Sequence, residues 1–309
     1  MILRRWLITI GLVAGCGCAA VPGADPALDP AFRPVIADPE FPKGRGPVVW
    51  LDHGHNNIVN ATPGSRYGPF VAALRADGYT VRPLRVPITE AVLIPIQLLV
   101  IGNALHARNV KDWSLPTPSA FTTEEIRILH DWVNAGGELL LLVDHMPSAG
   151  AGTDLGRAFG IEFLNGVVED PQRWDPAIFR RDNGTLLDHP ITRGARKHAG
   201  LQTVATFDGS AFRAPDAEAL LVLGPEYVSY QMSVAWKIDS TTPQLPVGGW
   251  LQGAVRVVGQ GRLAIFSDAS MFSATIKPDG SRMGMNTVEG AENLQLLRNV
   301  LRWLRGQQP

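Results

Sequence analysis

Residues 48–57 read VVWLDHGHNN, and this stretch decides the fold. Its first four residues form a short apolar run of the kind that makes a buried strand. Its last six include an aspartate, two histidines and two asparagines, and Gly54 allows the backbone to turn sharply. Polar side chains of this kind are costly to bury and are not needed for folding. The stretch therefore predicts a strand that runs directly into a functional site.

The same arrangement recurs along the chain. Apolar runs at 79–81, 97–101, 139–143 and 262–266 are separated by helical patterns at 66–77, 122–134 and about 291–304. Thr122 or Thr123 is expected to cap the middle helix, because acidic residues follow in its first turn. Strands that are apolar throughout and separated by helices indicate a sheet covered on both faces. We predict an α/β fold with a mostly parallel, doubly wound, flavodoxin-like sheet.

The pattern changes between about residues 161 and 260. Short strand-like runs occur at 201–207, 219–223, 234–238 and 253–258, with many turns between them. We interpret this part as a β-rich insert, an antiparallel extension or lid within one domain that covers residues 47–305.

The N-terminus has the features of a bacterial lipoprotein signal. Two arginines precede a short apolar segment, and residues 13–16 read VAGC, which matches a lipobox. We predict a signal peptide at 1–15, a lipid on Cys16 and a Pro-rich tether at 16–46. Cleavage after Ala20, giving a soluble exported protein, is the alternative. The lipoprotein interpretation places the protein in the cell envelope, anchored to the membrane and facing the periplasm, with Gly17 favouring the outer membrane.

Composition excludes several classes of function. Both cysteines lie within the first 18 residues, so the folded domain has no disulfide, cysteine metal ligand or cysteine nucleophile. The formal net charge is −1 and no basic run is present, so nucleic acid is not an expected partner.

Polar residues follow four of the expected strands. Because the carboxyl ends of parallel strands meet at one edge, these residues are expected to line a common pocket. Our candidate catalytic residues are His53, Asp144 and His145. The candidate ligand-binding residues are Asp52, His55, Asn56, Asn57, Asn103 and Asp268.

Several chemistries fit this set. His53, His55 and Asp144 supply imidazole and carboxylate ligands that suit Zn²⁺ or another divalent metal. Without a metal, a histidine oriented by Asp52 or Asp144 can transfer protons near neutral pH. Alternatively, these polar residues only fix loops, which is the simpler interpretation of Asn56 and Asn57. The tryptophans could include a sugar-stacking platform, although large aromatic residues more often pack in a core or lid.

Three segments resemble known proteins. Residues 52–57, 136–147 and 267–272 resemble, in the same order, segments of uncharacterised bacterial lipoproteins (DUF4350-like) of the class I glutamine amidotransferase-like superfamily. The resemblance covers about residues 47–305 and implies the fold of that superfamily. Working amidotransferases carry a cysteine on the turn after the fourth strand. This chain has Asp144-His145 there, so the resemblance does not extend to glutamine hydrolysis.

Two classes of function follow. One is a hydrolase-like enzyme that acts on a small polar molecule, of sugar type, and that a metal could assist. The other is a non-catalytic module that binds a ligand or an envelope protein partner.

Overall fold

The computed structural model describes residues 26–194 and 200–307. The predicted signal peptide, Cys16 and the first part of the predicted tether lie outside these ranges. In the described part of the chain, no helix is long and apolar enough to cross a membrane.

The chain forms short strands and helices throughout. The strands are β1 (Ala27–Leu28), β2 (Val48–Asp52), β3 (Thr80–Leu84), β4 (Leu98–Gly102), β5 (Glu138–Leu142), β6 (Glu162–Leu164), β7 (Val167–Glu169), β8 (Ala177–Arg180), β9 (Thr203–Thr206), β10 (Ala211–Arg213), β11 (Glu218–Val222), β12 (Val228–Tyr230), β13 (Gln244–Pro246), β14 (Leu251–Val258), β15 (Gly261–Phe266), β16 (Ala274–Ile276) and β17 (Arg282–Gly284). The helices are α1 (Gly68–Ala76), α2 (Glu90–Leu93), α3 (Thr123–Asn134), α4 (Ser148–Ala151), α5 (Thr153–Ala158), α6 (Pro190–Arg193) and α7 (Asn293–Leu304).

A central sheet organises the molecule. Its strand order begins β3-β2-β4-β5-β15, and these five strands are parallel. The order reverses between β2 and β4, which is the switch point where ligands bind in open α/β sheets. Beyond β15 the sheet continues with β14, β10 and β6, which are all antiparallel to their neighbours. The predicted α/β class with a mostly parallel, doubly wound sheet is confirmed.

Both faces of the sheet are covered by helices because its inner strands are apolar on both sides. On one face, α1 and α7 pack against alternate residues such as Leu51, Val100 and Leu142. On the other face, α2, α3 and α5 pack against the intervening residues, such as Leu99 and Leu141. Alternation along the strands therefore assigns each polar residue after a strand to one face or the other.

The helix α3 begins as its sequence predicts. The Thr122 hydroxyl accepts a hydrogen bond from the Glu125 amide at 3.2 Å, and the Glu125 carboxylate accepts one from the Thr122 amide at 3.0 Å. This capping box satisfies amides that the first turn of a helix leaves free.

The second half is rich in antiparallel strands, as predicted for residues 161–260. Three of its strands (β6, β10 and β14) extend the central sheet, β11 pairs with β14, and two small sheets combine β7, β12 and β13, and β8 and β9. One expected strand does not form. Residues 234–238 make a tight turn in which Trp236 has a φ of 64°, and the Lys237 amide donates to the Val234 carbonyl.

Residues 27–46 lie against the domain, whereas the sequence assigned all of 16–46 to an extended tether. The strand β1 pairs with β16. The Arg298 guanidinium donates to the Asp77 carboxylate at 3.0 Å and to the Asp38 carbonyl, and Arg302 pairs with Glu40 at 2.6 Å. Residues within 27–46 are therefore packed on the domain and not extended away from it.

Candidate functional site

The polar residues that follow the parallel strands meet at one edge of the sheet, but they form two groups. One group surrounds His55, after β2. The other surrounds Asp144, after β5. No hydrogen bond or ion pair within residues 26–194 and 200–307 joins the side chains of the two groups.

His55 lies between two carboxylates. Its Nδ1 is 2.8 Å from Asp52 Oδ2 and its Nε2 is 3.1 Å from Glu125 Oε1. The ring also packs on Phe121, with the centroids 4.3 Å apart. Burial lowers the pKa of His55, but the hydrogen bonds and charges of Asp52 and Glu125 outweigh burial and raise it overall. The arrangement favours an imidazolium that bridges β2 and α3.

This bridge fixes a loop rather than leaving a reactive group free. Both nitrogens of His55 are engaged, and only 6% of the residue is exposed. Around it, the Asn57 Oδ1 accepts a hydrogen bond from the His55 amide, and the Asn56 side chain donates to the Leu105 carbonyl. Both asparagines therefore hold the loop, which agrees with the simpler of the sequence interpretations. A groove of about 790 Å³ lies beside this loop and is lined in part by His55.

His53 belongs to neither group. Its Nε2 accepts a hydrogen bond from the Ala61 amide at 2.9 Å, which leaves no lone pair on that nitrogen for a proton or a metal. Burial and the charge of Arg85 lower the pKa of His53, with Asp52 acting in the opposite direction. His55, and not His53, is therefore the histidine that is hydrogen-bonded to carboxylates.

Asp144 is the centre of the second group. Its Oδ2 accepts hydrogen bonds from Asn103 Nδ2 at 3.1 Å and from Ser270 Oγ at 3.5 Å. Asn103 has a φ of 49° and also accepts a hydrogen bond from Ser148 Oγ at 3.2 Å. Burial raises the pKa of Asp144, and the nearby His145 opposes that rise. Both serines are therefore occupied as donors, and neither contacts a histidine ring in the described chain.

Asp268 anchors the loop that follows β9. Its carboxylate accepts hydrogen bonds from the Phe207 and Ser270 amides. Burial and the charge of Asp144 raise its pKa well above the ordinary value, while these two amides act in the opposite direction. Because its oxygens point at backbone donors, Asp268 positions the loop carrying Asp208 beside Asp144.

His145 brings a ring nitrogen without a hydrogen-bond partner to this group. Its Nδ1 lies 2.5 Å from the Met146 carbonyl, so Nδ1 carries the hydrogen and donates it. No partner of Nε2 occurs among residues 26–194 and 200–307. The ring lies between Trp236, at a centroid distance of 4.4 Å, and Trp113, at 5.8 Å. The lone pair of Nε2 can therefore accept a proton from a bound molecule or water.

The β-rich insert adds a carboxylate to this group. The Val168 amide donates to the Gly209 carbonyl at 2.9 Å, which places Glu169 beside Asp208. Glu169 is 7% exposed, and its carboxylate has no hydrogen-bond partner in the described chain. Burial and the charge of Asp208 raise the pKa of Glu169 to about 8, with Lys277 opposing them. This carboxyl group remains protonated at neutral pH and can donate a hydrogen bond or a proton.

Arg66 and Tyr67, just before α1, complete the group. The Arg66 guanidinium donates to the Tyr67 hydroxyl at 3.2 Å, and its buried Nε has no partner in the described residues. The charges of Tyr67, Asp144 and Asp208 raise the pKa of Arg66. An unpaired guanidinium N–H beside several carboxylates gives the site a donor for a polar ligand.

The metal set predicted from the sequence is not assembled. His53, His55 and Asp144 each contact different partners. Within the described ranges, no group of three or more His, Cys, Asp or Glu side chains is placed to hold a metal ion. A sequence spacing of two between the histidines does not bring their rings together here, because the turn at Gly54 sends them to different neighbours.

Several residues of the two groups were not singled out from the sequence. Glu125 was noted only for its place in the first turn of α3, and Glu169, Arg66 and Tyr67 were not noted at all. The position of α1 offered one usable signal, because a helix that follows β2 begins at the same edge where β2 ends. Nothing in the local sequence pairs Glu169 with the strand ends, since that contact depends on how the insert folds back.

Comparison with known proteins supports the fold. No protein-family model matches the chain, and no curated protein matches it. Among solved structures, the mmIFT52 N-terminal domain superposes with a TM-score of 0.57 and 18% identity, covering 83% of this chain and 96% of that one.

Two bacterial structures align less closely. Cytoplasmic protein STM1381 from Salmonella typhimurium LT2 has a TM-score of 0.46 and 13% identity over 85% of this chain and 100% of that one. A ThuA-like protein from Bacteroides uniformis ATCC 8492 has a TM-score of 0.46 and 14% identity over 89% of this chain and 95% of that one. At these identities the likeness shows the fold alone, and any function has to be argued from the site.

Proposed function

We propose that the protein is a hydrolase-like enzyme that acts on a small polar molecule of sugar type at the Asp144 group. The unpartnered Nε2 of His145 carries this proposal, because an imidazole whose Nδ1 donates to a carbonyl presents the lone pair of Nε2 to a bound molecule as a general base. The base takes a proton from water, and the oxygen of that water attacks the electrophilic carbon of the substrate. Glu169 gives its proton to the leaving oxygen.

The raised pKa of Glu169 supports its role as the acid. An acid and a base must be in opposite protonation states at the same pH, and enzymes achieve this by giving the two groups different environments. Burial keeps Glu169 protonated up to about pH 8. Trp113 and Trp236 flank the His145 ring and offer apolar surfaces against which a sugar ring can stack.

The test is hydrolysis of a panel of 4-nitrophenyl glycosides and sugar acetate esters by the purified protein. His145→Gln is expected to lower kcat/KM by a factor of about 100 or more, as for the loss of a general base. His130→Gln, at a half-buried residue of α3 outside the Asp144 group, is the matched control and should retain full activity. Equal activity of His145→Gln and the parent protein would refute the assignment.

A non-catalytic module that binds a ligand or an envelope protein partner is the second candidate. The observation that favours it is that the hydrogen bonds of the Asp144 carboxylate are shielded from solvent. Asp144, Asn103 and Ser270 are each at most 3% exposed, and Asn103 and Ser270 both donate to Asp144. Such a network can hold a ligand-binding edge in shape without turnover. Ligand binding that requires His145, with no hydrolysis of any member of the panel, would favour this candidate.

We also propose that a lipid on Cys16 attaches the protein to the membrane and that the protein faces the periplasm in the cell envelope. In this proposal the protein is related to the DUF4350-like lipoproteins. The lipobox at residues 13–16 supports it. Cys16→Ser should release the protein from the membrane fraction and abolish incorporation of labelled palmitate. Unchanged labelling would contradict the proposal.

A further inference from the structure

His145 is covered, although its Nε2 has no hydrogen-bond partner in the described chain. Only 6% of the residue is exposed. The Trp236 ring lies against the His145 ring with the centroids 4.4 Å apart, and the Trp113 ring lies at 5.8 Å. Aromatic rings at these separations are in direct contact, so no sugar ring fits between them. A molecule as large as a sugar can therefore reach His145 only if one of the tryptophans moves away.

The two tryptophans lie on loops that are joined to each other. Trp113 belongs to residues 106–120, between β4 and α3, which we call the Trp113 loop. Trp236 belongs to residues 232–242, between β12 and β13, which we call the Trp236 loop. Two backbone hydrogen bonds join these loops, one from the Leu115 amide to the Ser233 carbonyl at 2.9 Å and one from the Ala235 amide to the Trp113 carbonyl at 2.8 Å.

The Trp236 loop has few other attachments. Within residues 26–194 and 200–307, those two bonds are the only hydrogen bonds or ion pairs that join it to the rest of the chain. Met232 and Ile238 pack on the apolar cluster that contains Met146, but more than half of the loop's residues are exposed. Segments with few buried apolar contacts open locally at a small cost in free energy.

The Trp113 loop is held more firmly. The Asn109 side chain is fully buried, and its Nδ2 donates to three carbonyls of the loop, those of Asp112 at 2.8 Å, Ser114 at 3.0 Å and Pro116 at 3.4 Å. The Ala120 amide donates to the Ala151 carbonyl at 3.0 Å, which joins the end of the loop to α4. Because the Trp113 loop is fixed in this way, opening is expected to move Trp236 and not Trp113.

We propose that the Trp236 loop is a lid over His145, which separates from the Trp113 loop to admit the substrate and then closes over it. The inference rests on the proposed function and adds the step that controls access to its site. The lid is closed in this structure, where Trp236 lies against the His145 ring. Opening makes both indole rings available to a sugar ring, and closure then positions the sugar and excludes bulk water.

The experiment locks the lid with a disulfide. Ser114 and Val234 are paired between the two hydrogen bonds that join the loops. The Cα atoms of such a pair lie about 4.5 Å apart, which suits a disulfide. Ser114→Cys/Val234→Cys is made in the full chain carrying Cys16→Ser and Cys18→Ser, so that no other cysteine remains.

Two rates are measured in the oxidised and the reduced protein. One is the modification of His145 by diethyl pyrocarbonate, located by peptide mass spectrometry, because this reagent acylates an imidazole nitrogen with a free lone pair. The other is hydrolysis of the panel of glycosides and esters. Oxidation should lower both rates by at least about tenfold, because the lid no longer opens, and reduction should restore them.

Controls separate the lock from side effects of the substitutions. Ser114→Cys and Val234→Cys, each made alone in the same background, should not respond to oxidation. Modification of His130, on α3, should not change in any variant. Trp236→Ala uncovers the His145 ring without a cross-link and should raise the rate of its modification by about threefold or more.

The outcomes distinguish the lid from the proposed function. Equal rates of His145 modification in the oxidised and reduced protein, or an unchanged rate in Trp236→Ala, would overturn the lid. A rate of modification that responds to the disulfide, with no hydrolysis of the panel in either state, would support the lid and refute the hydrolase.

Discussion

Replacing His55 by glutamine should destabilise the protein strongly, because it removes a cation from between two buried carboxylates. A hydrogen bond to a charged group contributes about 1.5–3 kcal/mol, and His55 makes two, to Asp52 and Glu125. Removing one partner of a buried ionic group costs about 3–5 kcal/mol, because the remaining charges stay buried. Glutamine keeps one donor, so we expect a loss of about 3 kcal/mol.

The assay is urea unfolding followed by tryptophan fluorescence, with thermal unfolding as a second measurement. A loss of about 3 kcal/mol corresponds to a decrease in Tm of about 5 °C for a domain of this size. His130→Gln, at a half-buried residue of α3 whose ring packs on Phe159, is the matched control and should cost less than about 1.5 kcal/mol, the upper value of one aromatic contact. A double-mutant cycle with Glu125→Gln should show a coupling of about 1–3 kcal/mol, since the two side chains share a hydrogen bond.

The effect should also depend on pH. The pKa of His55 is raised in the folded protein, so its stabilising contribution is fully present below the ordinary pKa of about 6.5 and is lost as the pH rises through the raised value. The difference in stability between the parent and His55→Gln should therefore be larger at pH 6 than at pH 9. A loss below 1 kcal/mol at pH 6, or a loss that is the same at both pH values, would refute the conclusion that a charged His55 bridges Asp52 and Glu125.

Three further substitutions test the described contacts. Glu169→Gln should stabilise the protein by about 2–4 kcal/mol at pH 9 and leave its stability unchanged at pH 4. Burial raises the pKa of Glu169 to about 8, so the free energy of unfolding of the parent protein falls as the pH rises from the ordinary pKa of a glutamate to 8. A difference in urea midpoint that is constant across this pH range would contradict burial as the cause. Glu138→Gln should also stabilise the protein at high pH, with the change in stability centred near pH 7, because burial raises the pKa of Glu138 to about 7. After solvent screening we expect a stabilisation of about 1–2 kcal/mol at pH 9. Unchanged stability at pH 9 would contradict this prediction. Gly78→Ala should lower the stability measured by thermal unfolding by about 2–4 kcal/mol. Gly78 has a φ of 94°, and a Cβ there would lie 2.2 Å from the Phe41 carbonyl oxygen. A Tm equal to that of the parent would show that residues 27–46 are not held against α1.

The sequence was sufficient to predict the parallel part of the sheet. Runs such as Val48–Leu51 and Leu139–Val143 are apolar on both sides, and only a strand covered on both faces satisfies them. The same logic predicted that polar residues would collect at one sheet edge, because parallel strands all end there. The Thr122 cap of α3 was also predictable, because it depends only on residues within one helical turn.

Tertiary structure alone decided which polar groups meet. Alternation assigns Asp52 to one face of the sheet and Asp144 to the other, but it does not select a partner, and Glu125 reaches His55 from 70 residues along the chain. Local sequence also gave no indication that the insert would fold back to bring Glu169 and Trp236 to the strand ends. The positions of the strand C-termini can be predicted from local hydrophobic periodicity. The pairing of charges and aromatic rings depends on long-range packing, because burial and distance set the energy of each contact.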